Sequence, residues 1–251
     1  MSRVLHVLPQ IKGFLENTLI DWPGRIASEL FLPGCNFRCP FCHAAHLVVR
    51  PNQLESIPFD TIRDYLQEHR DWIDGVIISG GEPTISVGLP ALVEAIDEAG
   101  FPVKLDTNGS NPEIVESLVK GGAVRAVSMD VKAPLDERYN KLAGVEVDLD
   151  AIRRSIDFLL SGAVAQYEFR TTVPPGFLDA DAVVEIARTI EGAQAYVLQN
   201  FQPVDCIDPE MTRLKPLDVE ELKGFAERAG RCVERCWVRG LEEVLPEPKK
   251  D

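Results

Sequence analysis

Three cysteines fall within eight positions of the segment PGCNFRCPFC: Cys35, Cys39 and Cys42, in the spacing C-x3-C-x2-C. Thiolates select soft metals, chiefly zinc, copper(I) and iron–sulfur clusters. A structural zinc site takes four tetrahedral ligands, usually as two separated pairs. The other close pair, Cys232 and Cys236, comes about 190 residues later, and His43 follows Cys42 directly, too near for the usual pairing. A 4Fe–4S cubane held by three cysteines leaves one iron for a ligand that is not protein, so that a small molecule can be activated there.

The elements that must position these thiols alternate along the chain. Strands are expected at 27–33, 75–81, 102–109, 124–132, 165–176 and 195–203, each run ending in a turn or loop, with a seventh short strand at 236–240. Helices are expected at 59–72, 89–100, 112–122, 148–162, 179–190 and 217–231, from apolar residues at helical spacing and from Pro and Gly at their ends. Strand–helix alternation implies a parallel sheet, and strands apolar on both faces are those of a buried parallel sheet. Eight units would close a full barrel; six imply a partial, open barrel or a doubly wound sheet. The unusual residues sit just after strands: the cysteines, SGGEPT, DTNG, SMDVK, RTTVPPG and NFQP. In parallel α/β architectures the carboxyl ends of the strands line the ligand site, so these loops are expected to form one site.

The combination resembles a known family. C-x3-C-x2-C with Phe41 before the last cysteine is similar to the signature of the radical S-adenosylmethionine (SAM) enzymes, and GGEP at 80–83 resembles their glycine-rich motif. The resemblance implies an α/β fold, a partial (βα)6 barrel with the cluster loop after its first strand. It implies that Cys35, Cys39 and Cys42 hold a 4Fe–4S cluster whose unique iron binds the SAM amino and carboxylate groups. One electron from the cluster would then break the sulfonium C–S bond to give a 5′-deoxyadenosyl radical. Gly80, Gly81, Glu82 and Pro83 would meet the methionine part of SAM, with Glu82 accepting from its amino group. Phe41 and His43 would flank the adenine.

The segment 13–43, GFLENTLIDWPGRIASELFLPGCNFRCPFCH, is similar to the opening of glycyl-radical-enzyme activases, most of all to the activating proteins of anaerobic ribonucleoside-triphosphate reductase. LDTNG (105–109), MDVK (129–132) and FRTTVPPGF (169–177) resemble blocks of the pyruvate formate-lyase activases, and the likeness runs over roughly residues 11 to 205. It implies that Asp106, Thr107 and Asn108 lie beside SAM and that a monovalent cation binds near Asp106 and Asp130. It further implies that Lys132 and Arg170 pair with the SAM carboxylate. Two positions depart from the pattern: Ser128 stands two residues before Asp130 where Met is common, and Gln202 stands where some activases carry a SAM-contacting His. The implied partner is a glycyl radical enzyme, with anaerobic ribonucleotide reductase first, and a flavodoxin- or ferredoxin-type protein as reductant. Two other readings use the same residues: a radical SAM enzyme acting on a different glycyl radical enzyme, peptide or small molecule, and an iron–sulfur electron carrier or sensor that does not turn over SAM.

Composition bounds the rest. The 251 residues carry 26 Lys and Arg against 40 Asp and Glu, a formal charge of −14, which disfavours free nucleic acid and anionic membrane as partners. No targeting segment and no apolar run of spanning length is evident, so a cytoplasmic location is expected. One domain over 1–251 is the economical reading, with the cluster loop at 33–43, a core from about 11 to 240 and a frayed tail at 245–251. Cys206, Cys232 and Cys236 lack the dense spacing of an auxiliary cluster and read as small buried hydrophobes. LIDWPG (19–24) reads as a structural turn or a partner-facing edge.

Overall fold

The computed structural model describes residues 7–241; the expected tail at 245–251 lies outside them. Eight strands form one sheet in chain order: β1 (Gly13–Thr18), β2 (Ala27–Leu32), β3 (Gly75–Gly80), β4 (Val103–Thr107), β5 (Val124–Asp130), β6 (Gln166–Val173), β7 (Tyr196–Asn200) and β8 (Cys236–Val238). β1 runs antiparallel to β2, and β2 to β8 are all parallel. This is the partial barrel of the expected fold class, its six main strands being β2 to β7.

The helices are α1 (Ala45–Val49), α2 (Phe59–Glu68), α3 (Leu89–Glu98), α4 (Pro112–Lys120), α5 (Glu137–Ala143), α6 (Leu149–Leu160), α7 (Ala180–Thr189) and α8 (Val219–Ala229). Aspartates start several of them, because a side-chain oxygen can accept from the first free N–H groups. Asp148 takes the N–H of Asp150 and Ala151, Asp179 that of Ala182, and Asp218 that of Glu220. The apolar faces of the helices pack on the outer face of the sheet, where Leu30, Ile78, Leu105, Val127 and Phe169 are fully buried.

Three elements differ from the expectation, the first being α1, a helix of only five residues just after the cysteine loop. β1 is an eighth strand; as a half-exposed edge with Leu15, Glu16 and Asn17 to solvent, it shows no apolar alternation. α5 is a helix of seven residues, too short for its periodicity to stand out.

The inner face of the barrel is layered by strand register. At its amino end Trp22, Ala27, Ile77 and Ala126 form a separate apolar cluster. Trp22 comes from LIDWPG, is fully buried, and donates through Nε1 to Gln166 at 2.9 Å. That segment is therefore a plug under the barrel. Above it the inward positions turn polar: Lys104, then Asp106, Ser128 and Glu168 paired across β4, β5 and β6, then Asp130 and Arg170. Arg239, just past β8, reaches in to Glu168 at 2.6 Å and donates to the Ile20 carbonyl at 2.9 Å, linking the two edges of the open sheet.

Candidate active site

A cavity of about 530 Å³ opens at the carboxyl ends of the strands. It is lined by Cys35, Cys39, Phe41, Cys42 and His43 on one side, by Gly80, Gly81, Asp106, Thr107 and Asn108 on another, and by Asp130, Lys132 and Arg170 beneath. Thirteen residues from five segments thus meet in one place, as their positions at and just after the carboxyl ends of strands require.

The cysteine loop is fastened on four sides. Its Gly34 carbonyl accepts from the Glu82 N–H at 2.8 Å. Gly80 and Gly81 are needed for that crossing as much as for room at a ligand. Gly80 has φ +113, and a Cβ there would meet the Leu32 oxygen at 2.4 Å. Asn108 donates to Asn36 at 2.9 Å, and Asn36 to Ser110 at 2.8 Å. The Arg38 N–H donates to Ala143 at the end of α5 (2.8 Å), and Phe37 meets Tyr139 of α5 edge-on. The Pro40 carbonyl accepts from the Asp208 N–H at 3.0 Å, and Asp205 accepts from the His46 N–H at 3.2 Å and pairs with His46 Nδ1 (3.0 Å) and Arg50. Asp205 is the one non-glycine residue with positive φ among those described, at 45°.

Burial pushes the Cys35 thiol up to about 11 and Cys39 up to about 12, and raises Cys42 as well. Without metal these groups are protonated at neutral pH, so a metal must displace protons to bind. Among the described residues no three His, Cys, Asp or Glu side chains converge on a single ion. A cluster, in which each thiol meets its own iron, fits three separated thiols at one cavity wall. The Phe37 N–H already donates to Cys35 sulfur at 3.3 Å, the kind of contact that tunes cluster potential. His43 is lowered, by burial first and by Lys132 second.

The floor is a chain of alternating charges. Lys104 Nζ lies 2.8 Å from Asp106, whose other oxygen lies 2.7 Å from Arg170. Arg170 Nε continues to Asp130 at 2.8 Å, and Asp130 to Lys132 at 2.8 Å. Burial alone would raise both carboxyls, but Arg170 with Lys104 at Asp106, and Arg170 with Lys132 at Asp130, hold them below the usual carboxylate range. Each of the four oxygens of Asp106 and Asp130 already meets a cationic side chain, so Lys104, Arg170 and Lys132 stand where the monovalent cation was expected.

Three expected contacts lie elsewhere. Glu82 is 1% exposed and outside the cavity wall. It accepts from the Asn108 N–H (2.6 Å), the Thr107 hydroxyl (2.8 Å) and both donors of Thr84. It ties the GGEP turn to the DTNG turn, and its carboxylate is spent on protein donors. Pro83 is buried in the turn that Glu82 caps. Gln202 is exposed and off the wall; Gln199, at the end of β7, lines the cavity instead. Sequence reasoning also missed Glu29, Ser79 and Thr172 on that wall. A signal existed for one of them: Glu29 is a charge inside the otherwise apolar ASELFLP. Cys206, Cys232 and Cys236 do not line the cavity.

The model of the radical SAM superfamily matches residues 30–190, which include the cysteine loop, both glycines and Arg170. The chain belongs to the radical SAM superfamily. It is an enzyme of that superfamily, and a protein of Methanocaldococcus jannaschii that carries the provisional name glycyl-radical enzyme activating enzyme is 31% identical to it over 92% of this chain and 96% of that one. The pyruvate formate-lyase-activating enzyme of Streptococcus mutans serotype c is 30% identical over 50% of this chain and 51% of its own. Among solved structures, Streptococcus suis SuiB superposes with a TM-score of 0.58 at 16% identity, over 78% of this chain and 43% of SuiB, a likeness of fold. As in other radical SAM proteins, a 4Fe–4S cluster and SAM are the cofactors this family implies. Among the described residues no helix is long and apolar enough to cross a membrane.

Proposed function

We propose that this radical SAM enzyme installs a glycyl radical on a partner protein, with an anaerobic ribonucleoside-triphosphate reductase as the first candidate and a flavodoxin- or ferredoxin-type protein as electron donor in the cytoplasm. The observation that carries the reading is the convergence of three thiols, a glycine edge and the Lys132–Asp130–Arg170 floor on one cavity. The relatives named for glycyl-radical activation support the choice of substrate class.

In this reading Cys35, Cys39 and Cys42 hold the cluster. The bound cluster and SAM together supply one-electron cleavage of a sulfonium C–S bond. Lys132 and Arg170 receive the SAM carboxylate as hydrogen-bond donors held in place by Asp130 and Asp106. Phe41 and His43 flank the adenine, and the neutral state favoured at His43 suits that contact. Thr107 and Asn108 bound the methionine side. Glu82 acts at one remove, setting the two turns that carry Gly81 and Asn108. The apolar layer around Trp22 closes the barrel below and keeps water from entering by that route. A single domain over 1–251 accommodates all of these parts.

The test is an anaerobic mixture of the reconstituted protein, SAM, a reductant and the anaerobic ribonucleotide reductase of the same organism. A glycyl radical doublet by electron paramagnetic resonance, together with 5′-deoxyadenosine, is the expected result. 5′-Deoxyadenosine without a doublet would overturn the partner and keep the chemistry. Neither product, from protein with a full iron complement, would favour an electron carrier or sensor. Cys39→Ala should lose the cubane signal; an unchanged cluster in that variant would mean the ligands are wrongly assigned.

A further inference from the structure

Lys104 is a lysine on an inward position of a barrel strand, 2% exposed, with no place in the site as the sequence predicts it. It stands two residues before Asp106 on β4, so both side chains share one face. Its ammonium rises from below and meets Asp106 Oδ1 at 2.8 Å, with Glu168 at 3.9 Å. Ser128, the small residue at the departing position, leaves the neighbouring strand without a long side chain there and donates instead to Glu168 at 2.7 Å.

The local charges then compose a closed set. Asp106 and Asp130 present four oxygens, and Lys104, Arg170 and Lys132 fill all four at 2.7–2.8 Å. With the buried Glu168–Arg239 pair that lies beside Lys104 included, four cations stand against three carboxylates and leave one positive charge over. That excess suits a ligand carboxylate arriving from the cavity, where Lys132 and Arg170 are the members exposed to it. A further small cation between Asp106 and Asp130 would face three fixed positive groups at close range, which is unfavourable in a buried site of low effective dielectric.

We propose that the Lys104 ammonium stands in for a monovalent ion in this chain, holding Asp106 and, through Arg170 and Asp130, orienting the groups that receive the carboxylate of SAM. Lys104 is thus a positioning residue. Carboxylate recognition needs no added K+ or Na+. The proposal rests on the reading of the cavity as a SAM site only for the identity of the ligand.

The experiment uses the full-length, reconstituted protein under anaerobic conditions. SAM affinity is measured by equilibrium dialysis in tetramethylammonium, sodium and potassium chloride, and Tl+ binding is followed in parallel by thallium resonance without SAM. In the wild type the SAM dissociation constant should differ by less than about twofold among the salts, with no Tl+ signal displaced by K+. Lys104→Met should lose about tenfold or more in affinity in tetramethylammonium and recover in KCl, and should show a K+-displaceable Tl+ signal. A wild-type affinity that rises about tenfold with K+, or a K+-displaceable Tl+ site in the wild type, overturns the proposal. So does a folded Lys104→Met protein that fails to bind SAM in every salt, because Lys104 would then be a strut and not a substitute ion. If the wild type binds SAM in no salt, the SAM reading fails, and the thallium comparison still decides between Lys104 and an ion. If Lys104→Met does not fold, the two wild-type measurements decide alone.

Discussion

A Cβ on Gly81 would stand 1.7 Å from the carbonyl oxygen of Gly34. The GGEP turn and the cysteine loop are thus in backbone contact, and the oxygen concerned also accepts from the Glu82 N–H. A flexible side chain could move aside; this atom is main chain. Gly81→Ala should displace the loop that carries Cys35 and lower iron content after reconstitution well below the wild-type level, while the far-ultraviolet dichroism stays near normal. Full iron loading in the variant would mean the two loops can separate freely.

Glu29 gives the protein a pH dependence of known sign. Burial, then Asp106 and Asp21, push its carboxyl from 4.5 up to about 7. The folded state therefore keeps a proton that the unfolded chain releases. Below about pH 4.5 both states are protonated and nothing is lost; stability falls as pH rises toward 7, and the loss is complete above it. The scale is on the order of 3 kcal/mol, at about 1.4 kcal/mol for each unit. Glu29→Gln should raise the urea midpoint clearly at about pH 8 and little at about pH 5. A gain equal at both values would place the effect in packing instead.

Trp22 tests the plug. It is fully buried, and its Nε1 is satisfied by Gln166. Trp22→Ala should cost about 3–5 kcal/mol from lost apolar burial and the cavity left behind, read from urea unfolding. Trp22→Phe keeps most of the ring volume and loses the hydrogen bond, so it should cost less. Equal losses in the two variants would point to the Gln166 contact as the larger contribution.

Asp205 holds the segment after β7 against α1 while itself adopting a backbone angle that side chains disfavour. Asp205→Ala removes the contacts to His46 and Arg50 and leaves the positive φ. Asp205→Gly removes the same contacts but relieves the backbone. Both should speed amide exchange and proteolysis across residues 201–214, the alanine variant more than the glycine one. Equal rates in the two would mean the angle carries no strain.

The sequence showed the parallel sheet and the gathering of its loops because buried strands and terminal glycines announce themselves locally. β2, β3 and β5 lie within the expected ranges for that reason. β1 escaped because an exposed edge strand has no core-facing alternation to read. Cavity residues were legible when they followed a strand in a loop of unusual composition, as Asn108 and Lys132 do. Spacing put Glu82 near the ligand but could not show the Thr84, Thr107 and Asn108 donors that its carboxylate meets. Lys104 was silent: its meaning depends on Asp106, Ser128 and Glu168, brought beside it by strand register.

The fastening of the cysteine loop has a consequence for biosynthesis. Cys35, Cys39 and Cys42 leave the ribosome early, yet Arg38 is anchored by Ala143 and Pro40 by Asp208. Neither anchor exists until far more of the chain has been made. The nascent thiols are therefore tethered to an unformed pocket, exposed to any oxidant or stray zinc. Iron delivered during translation would find ligands without a mould. The geometry favours insertion into the completed polypeptide, as a maturation step separate in time from synthesis.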